Sequence, residues 1–141
     1  MKVLFDTNVI IDGLIERDLD YKPARQLIRY AAINKIKGYI SAKQITDIYY
    51  VLRKYLENEL QRKAIIKTIL ETFEVLPTLK SDIAYSMNSE INDLEDALLD
   101  EVCKVNSIDY LITNNIKDYE KAKSIVLTPS QVLEFIELGD R

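Results

Sequence analysis

This sequence predicts an α/β fold, a three-layer α/β/α domain with a five-stranded, mostly parallel central sheet. Three observations predict it. Short apolar runs suited to strands alternate with longer stretches whose apolar residues recur at helical spacing. The first run, Val3-Leu4-Phe5, ends in Asp6 directly before a helical stretch, the way a parallel sheet presents a polar group at its C-terminal edge. The chain has 141 residues, 48% hydrophobic and 30% charged, with only three Gly and three Pro, so a single domain spanning 1–141 can bury a sizeable core and has little room for long loops.

Lys2 to Asp6 reads as the first strand, and Thr7 or Asn8 caps a short helix to about Leu14. The polar run Glu16 to Lys22 is a loop, after which Pro23 starts a helix carrying Leu27, Ile28, Ala31 and Ala32. Gly38-Tyr39-Ile40 is a second short strand. Ser41 caps a helix with Ile45, Ile48, Leu52 and Leu56 on one stripe, the spacing of a packed face. Glu59 to Phe73 is a further helix with Ile65, Ile66, Ile69, Leu70 and Phe73 apolar, followed by a short strand and turn over Glu74 to Pro77. The second half repeats the alternation. Lys80 to Glu90 is helical with Ser81 as its cap, and Asn92 or Asp93 caps a helix to about Asn106. Asp109 to Thr113 is a strand ending in polar residues, Ile116 to Ala122 a short helical piece, and Ser124 to Thr128 a strand. Pro129 starts a final helix with Val132, Leu133 and Ile136.

Composition narrows the function. No apolar run approaches the ~20 residues a membrane span needs, and the run before Asp6 is too short for a signal peptide, so a cytoplasmic location is expected. Cys103 is the one cysteine and falls in an apolar helical pattern, as a small buried residue does. The net charge of −4 conceals an asymmetry. Residues 22–67 carry eleven basic and three acidic side chains, a net of +8, against −12 for the remainder. That segment suits contact with phosphates, and it equally suits solvated helix faces balanced in space by acids from elsewhere.

The chain has no histidine and one cysteine, so if Asp6 belongs to a catalytic site, that site must run on carboxylates. Four acids occupy comparable places. Asp6 ends the first strand, and Asp47 lies in the first two turns of the helix after the second. Asp96 opens the helix that begins near Asn92, and Asp118 follows the strand ending at Thr113. A parallel sheet can bring such positions to one edge. Carboxylates gathered there repel one another, and hard divalent cations such as Mg²⁺ or Mn²⁺ relieve that repulsion. Singly, the acids also have plain structural readings: Asp96 as a helix-dipole partner, Asp47 as the partner of Lys43 four residues earlier.

Together these residues resemble a known family. Phe5-Asp6-Thr7-Asn8-Val9-Ile10-Ile11-Asp12 is similar to the opening of PIN-domain proteins, the metal-dependent ribonuclease family that includes VapC-type toxins. Ile45-Thr46-Asp47-Ile48-Tyr49-Tyr50 resembles its second acidic motif and Asp93-Leu94-Glu95-Asp96-Ala97-Leu98 its third. Thr113-Asn114-Asn115-Ile116-Lys117-Asp118-Tyr119 resembles its Thr-Arg-Asn-x-x-Asp-Phe signature. The motifs come in the family's order and cover nearly the whole chain. The resemblance implies Mg²⁺ or Mn²⁺ held by Asp6, Asp47, Asp96 and Asp118, with Thr7, Asn8, Thr113 and Asn115 in support. Two positions depart from the pattern. Asp47 stands where Glu is frequent, which favours a water-mediated contact, and Asn114 stands where Arg is common, which removes a possible phosphate contact.

The activity this implies is endonucleolytic cleavage of single-stranded RNA by metal-activated water, as the toxin of a toxin–antitoxin pair. Lys43, Arg53 and Lys54 are the candidate RNA contacts. Tyr49, Tyr50 and Tyr55 suit either stacking on bases or burial in the core or a dimer interface. Single-stranded or structured RNA, a cognate antitoxin and a second copy in a homodimer are the expected partners. Two other readings compete: a PIN-fold binding module with little nuclease activity, and a phosphoryl-transfer domain. A haloacid-dehalogenase-like phosphatase needs Asp two residues after its nucleophile, and position 8 is Asn.

Overall fold

The computed structural model describes residues 1–139. Five strands form one sheet: β1 (Lys2–Phe5), β2 (Lys37–Ser41), β3 (Glu74–Leu76), β4 (Tyr110–Ile112) and β5 (Val126–Leu127). Their order is β3-β2-β1-β4-β5, and every neighbouring pair is parallel. Seven helices connect and cover them: α1 (Thr7–Ile15), α2 (Lys22–Ala32), α3 (Ala42–Leu52), α4 (Glu59–Thr72), α5 (Lys80–Ser86), α6 (Leu94–Val105) and α7 (Pro129–Gly139). None of them is long and apolar enough to cross a membrane.

The three central strands β2, β1 and β4 are buried on both faces, and their side chains divide with period two. Val3, Phe5, Ile40 and Ile112 pack into a core shared with residues of α1, α2, α3, α4 and α7. Leu4, Tyr39 and Leu111 pack into a second core with Leu98, Leu99, Val102 and Cys103 of α6. The three-layer reading therefore holds, with the basic segment 22–67 carried by the helices of the first layer. Close packing of α1 on α2 depends on Gly13, where a Cβ would stand 2.6 Å from Ile28 Cδ1 and 3.1 Å from the Ala24 backbone.

Chain direction places the functional edge. From β1 the chain moves outward through β2 to β3, then returns to lay β4 against the other side of β1. Strand order reverses at the β1–β4 pair, and in such sheets the crevice beyond the strand ends at that point is the usual place for a ligand.

Several local expectations need correction. The cap of α1 is Asp6 itself, whose carboxylate accepts from the Thr7 N–H, so Asp6 lies past the strand and neither Thr7 nor Asn8 is the cap. Helix α3 stops at Leu52, and Leu56 packs on the core from beyond the helix. Helix α5 ends at Ser86, not Glu90, and its first turn is closed by Asp82, which accepts from the Leu79 N–H at 2.9 Å, so Ser81 is not the cap. The Ser86 hydroxyl donates to the Asp82 carbonyl at 2.6 Å, drawing on a backbone acceptor at the end of this short helix. Past β4, a 3₁₀ turn covers Ile116–Tyr119 only.

Candidate active site

Asp6 stands where β1 and β4 end together, its N–H donating to the Ile112 carbonyl at 2.9 Å. Its carboxylate is held from several sides. Oδ1 accepts from the Thr7 N–H at 2.7 Å, and Oδ2 accepts from the Thr113 hydroxyl at 2.8 Å and the Tyr119 hydroxyl at 3.4 Å. Thr113 is fully buried beneath it and also accepts from the Asn115 N–H at 3.1 Å. The Tyr119 hydroxyl lies 3.1 Å from Asp96 Oδ1 as well, so one phenol bridges two carboxylates with a single proton.

Behind this arrangement lies Gln44, buried in the first turn of α3. Its Oε1 accepts from the Ser41 N–H at 2.8 Å while the Ser41 hydroxyl accepts from the Gln44 N–H, a capping box. Its Nε2 donates to the Phe5 carbonyl at 2.8 Å and to the Thr7 hydroxyl at 3.3 Å. One side chain thus ties the start of α3 to the β1–α1 junction that carries Asp6.

The four acids singled out from the sequence meet on one cavity of about 370 Å³ at this sheet edge. Asp6, Asp47, Asp96 and Asp118 line it, with Thr7, Asn8, Lys43, Gln44, Tyr50, Glu95 and Asn115. Their electrostatics differ. Burial pushes the Asp6 carboxyl above its ordinary value, over the opposing hydrogen bonds from Thr113, Thr7 and Tyr119, and Asp118 adds to the rise. Asp96 is pushed up to about 6, by burial first, then by the charges of Asp93, Asp6 and Asp118, against the Tyr119 hydrogen bond. The phenol of Tyr119 is also raised, by burial and then by Asp6 and Asp96. Asp47 has a cation already: Lys43 Nζ lies 2.7 Å from its Oδ2 and 3.2 Å from Glu95 Oε1. Burial disfavours the Lys43 ammonium, but the bonds to Asp47 and Glu95 outweigh it and raise its pKa.

The supporting residues divide in the same way. Thr113 bears directly on Asp6. Asn115 lines the cavity, and its carbonyl accepts from the Asp118 N–H at 3.1 Å. Asn8 is exposed on the cavity wall, its Oδ1 accepting from Arg17 Nη2 at 3.1 Å. Among the candidate RNA contacts, Lys43 sits inside the cavity, whereas Arg53 and Lys54 are exposed in the turn that ends α3.

Four features escaped the sequence reading: Gln44, Tyr119, Glu95 and a clamp on Asp12. The signal for Gln44 was its position three residues after a Ser cap, and Tyr119 directly follows Asp118 in the fourth motif. Asp12 is only 3% exposed; its Oδ1 accepts from Arg17 Nε at 2.7 Å and its Oδ2 from Asn114 Nδ2 at 3.0 Å. The clamp joins α1 to the segment holding Thr113, Asn115 and Asp118. Nothing in the spacing of Asp12, Arg17 and Asn114 announced it.

The donor set is all oxygen, the chemistry that Mg²⁺ and Mn²⁺ select. Among the described residues no three acids stand close enough together to hold one ion as they are arranged. Asp6, Asp96 and Asp118 are nonetheless coupled in charge: Asp118 raises the carboxyls of both Asp6 and Asp96, and Asp6 raises that of Asp96. That shared repulsion is what a divalent cation relieves, and on this ground the residues fit such an ion.

Comparison with known proteins agrees with the geometry. The family model for the PIN domain matches residues 2–117. Ribonuclease VapC1 from Aquifex aeolicus (strain VF5) is 30% identical over 140 residues, covering 94% of both chains. Among solved structures, VapBC2 from Rickettsia felis, bound to a DNA fragment from their promoter, gives a TM-score of 0.71 at 17% identity, covering 91% of this chain and 98% of that one. VapC20 of Mycobacterium tuberculosis, a sarcin–ricin loop cleaving toxin, gives 0.64 at 12% identity over 87% and 98%. The two structural likenesses are likenesses of fold.

Proposed function

We propose that this chain, which belongs to the PIN domain family, is a divalent-metal-dependent endoribonuclease and the toxin of a toxin–antitoxin pair. The observation that carries the proposal is the meeting of Asp6, Asp47, Asp96 and Asp118, from four separate stretches of chain, on one cavity at the C-terminal edge of a parallel sheet. A relative 30% identical over nearly its whole length is named a ribonuclease, and a structural neighbour of the same fold cleaves the sarcin–ricin loop, which supports RNA, single-stranded or looped, as substrate. The partner protein in the VapBC2 complex supports an antitoxin, and a homodimer in the cytoplasm completes the reading.

Asp6, Asp96 and Asp118 would hold Mg²⁺ or Mn²⁺, and Asp47 would join them directly or through water. The bound ion supplies Lewis acidity, lowering the pKa of water and offsetting charge on phosphoryl oxygens. The protein's own groups do the rest. Thr113, Thr7 and Tyr119 fix the Asp6 carboxylate. In hydrolysis the water oxygen forms a bond to phosphorus, one bond from phosphorus to a ribose oxygen breaks, the water's proton passes to a carboxylate, and the leaving ribose oxygen takes up a proton from solvent. Lys43 is placed to trade a carboxylate for a phosphate oxygen as substrate enters.

The test is cleavage of defined single-stranded and hairpin RNAs by purified protein with and without Mg²⁺, with Asp6→Asn as control. Cleavage that survives in Asp6→Asn, or that needs no metal, sinks the proposal. One observation favours a binding module instead: the Lys43 ammonium already gives the acidic wall a positive charge. Absence of cleavage together with no Mn²⁺-induced rise in melting temperature would select that reading. Growth arrest on expression in a bacterial host, relieved by co-expressing the neighbouring gene and absent for Asp6→Asn, tests the toxin role.

A further inference from the structure

We propose that two tyrosine–arginine pairs at the rim of the carboxylate cavity, Tyr50 with Arg53 and Tyr55 with Arg17, form the platform on which unpaired bases of the RNA stack beside the cleaved phosphate. The proposal rests on the nuclease reading and adds to it the surface that selects single-stranded substrate.

Tyr50 lines the cavity and is 66% exposed. Core packing therefore does not account for it. Arg53, the residue that ends α3, has its guanidinium 5.8 Å from the Tyr50 ring centroid and 5.9 Å from that of Tyr49. Among the described residues Arg53 makes no ion pair, so its charge remains available to a polyanion. Arg17 donates to Asn8 on the cavity wall and lies 5.6 Å from the ring centroid of Tyr55, which is 49% exposed. Arg17 is engaged by Asp12, so it serves to hold Tyr55 at the rim while Arg53 serves phosphate.

Exposed aromatic rings beside arginine are how proteins hold single strands without reading sequence. Each base has a face to stack, and the cation attracts the backbone between them. The placement also answers an electrostatic problem. The cavity itself is acidic and repels a phosphodiester, so binding energy must come from groups outside it that touch bases or flanking phosphates. A duplex, whose bases are stacked on one another, gains nothing from these rings.

The experiment measures binding of a fluorescent eight-nucleotide oligoribonucleotide, and of the same oligomer lacking all bases, to full-length protein carrying Asp6→Asn to prevent cleavage. Tyr50→Ala and Tyr55→Ala are expected to weaken binding of the complete oligomer about tenfold each, the scale of one stacked base. Tyr50→Phe should bind as its parent does. On the base-free oligomer the alanine variants should lose nothing further, whereas Arg53→Gln should weaken both oligomers. Equal losses on both oligomers for the tyrosine variants, or no loss on either, overturn the platform, and the second outcome assigns the exposed rings to a protein contact. Cleavage by wild type is scored separately. If it fails while the base-dependent pattern stands, only the nuclease reading falls; if it succeeds without the pattern, only the platform does.

Discussion

Replacing Asp96 by Asn measures what burial and the neighbouring acids together cost its ionised carboxylate. Burial first, then Asp93, Asp6 and Asp118, push its carboxyl from 3.8 up to about 6. A carboxyl raised in the folded protein holds its proton there more tightly than in the unfolded chain. Its unfavourable contribution to stability therefore grows as pH rises from the unfolded value to about 6 and is fully present above it. At full strength that displacement is ~3 kcal/mol. Asp96 is partly exposed, and solvent screening reduces the figure to roughly 1.5 kcal/mol. An opposing effect is that Asp96 lies in the first turn of α6, where a negative charge gains ~0.5 kcal/mol from the helix dipole. Burial and repulsion together win by about 1 kcal/mol. Asn retains Oδ1 to accept from Tyr119, so that bond is not lost. In EDTA near pH 7.5, Asp96→Asn is expected to melt about 3–4 °C above wild type, with the difference shrinking toward zero near pH 4. A difference independent of pH, or a lower melting temperature at neutral pH, would refute the coupling.

With Mn²⁺ added the order should reverse, because an ion bound only to the native state raises wild-type stability by mass action and the variant less; equal melting shifts would count against a shared site. Asp6→Asn should keep the fold, since its retained oxygen still meets Thr7 or Thr113, and should lose RNA cleavage by orders of magnitude. Gln44→Ala removes the partners of the Ser41 N–H and the Phe5 carbonyl and should cost about 2 kcal/mol in urea unfolding; a neutral result would mean water replaces the amide. Arg17→Leu leaves the buried Asp12 carboxylate with Asn114 alone and should cost about 3 kcal/mol. Adding Asn114→Arg should recover much of that loss, and simple additivity of the two changes would exclude the exchange.

The fold was legible because its strands are short and bounded by turn and cap residues, and its helices carry apolar stripes. The Ser41 cap shows this well, for both its hydroxyl and the following Gln44 follow a local rule. Helix ends were harder to read. Helix α1 closes on Glu16 at φ 54°, and Asn34 and Ser107 adopt φ 59° and 54° just beyond α2 and α6. None of the three is glycine, so the residue that most often marks a left-handed helix end was missing from each. Leu56 shows another limit. Helical spacing placed it on the α3 stripe, and it does pack on the core, but from a turn whose position depends on Arg62 Nη1 donating to the Leu56 and Glu57 carbonyls at 2.7 and 2.8 Å. The four acids were legible from motif order. Their unequal environments were not, because Tyr119 and Lys43 acquire their roles only through contacts the folded chain makes.

That inequality bears on how the site works. Asp6 is locked by three donors and by the strand end beneath it, so as a ligand it would have its ordering cost met on folding. Asp118 is exposed on a single 3₁₀ turn with no side-chain bond among the described residues, so it is the acid freest to move toward an ion. Asp47 lies between these extremes, its charge balanced by a lysine that also reaches Glu95. Without metal, Lys43 offsets part of the charge on one wall, while burial and its acidic neighbours push the Asp96 carboxyl up to about 6. On the proposed reading a divalent ion would draw the acids together, Asp118 included, rather than fill a cage already assembled. Because no three acids of the described residues stand close enough to hold one ion, the metal-free fold avoids gathering three charged carboxylates around an empty centre, a geometry it would have to hold against their mutual repulsion.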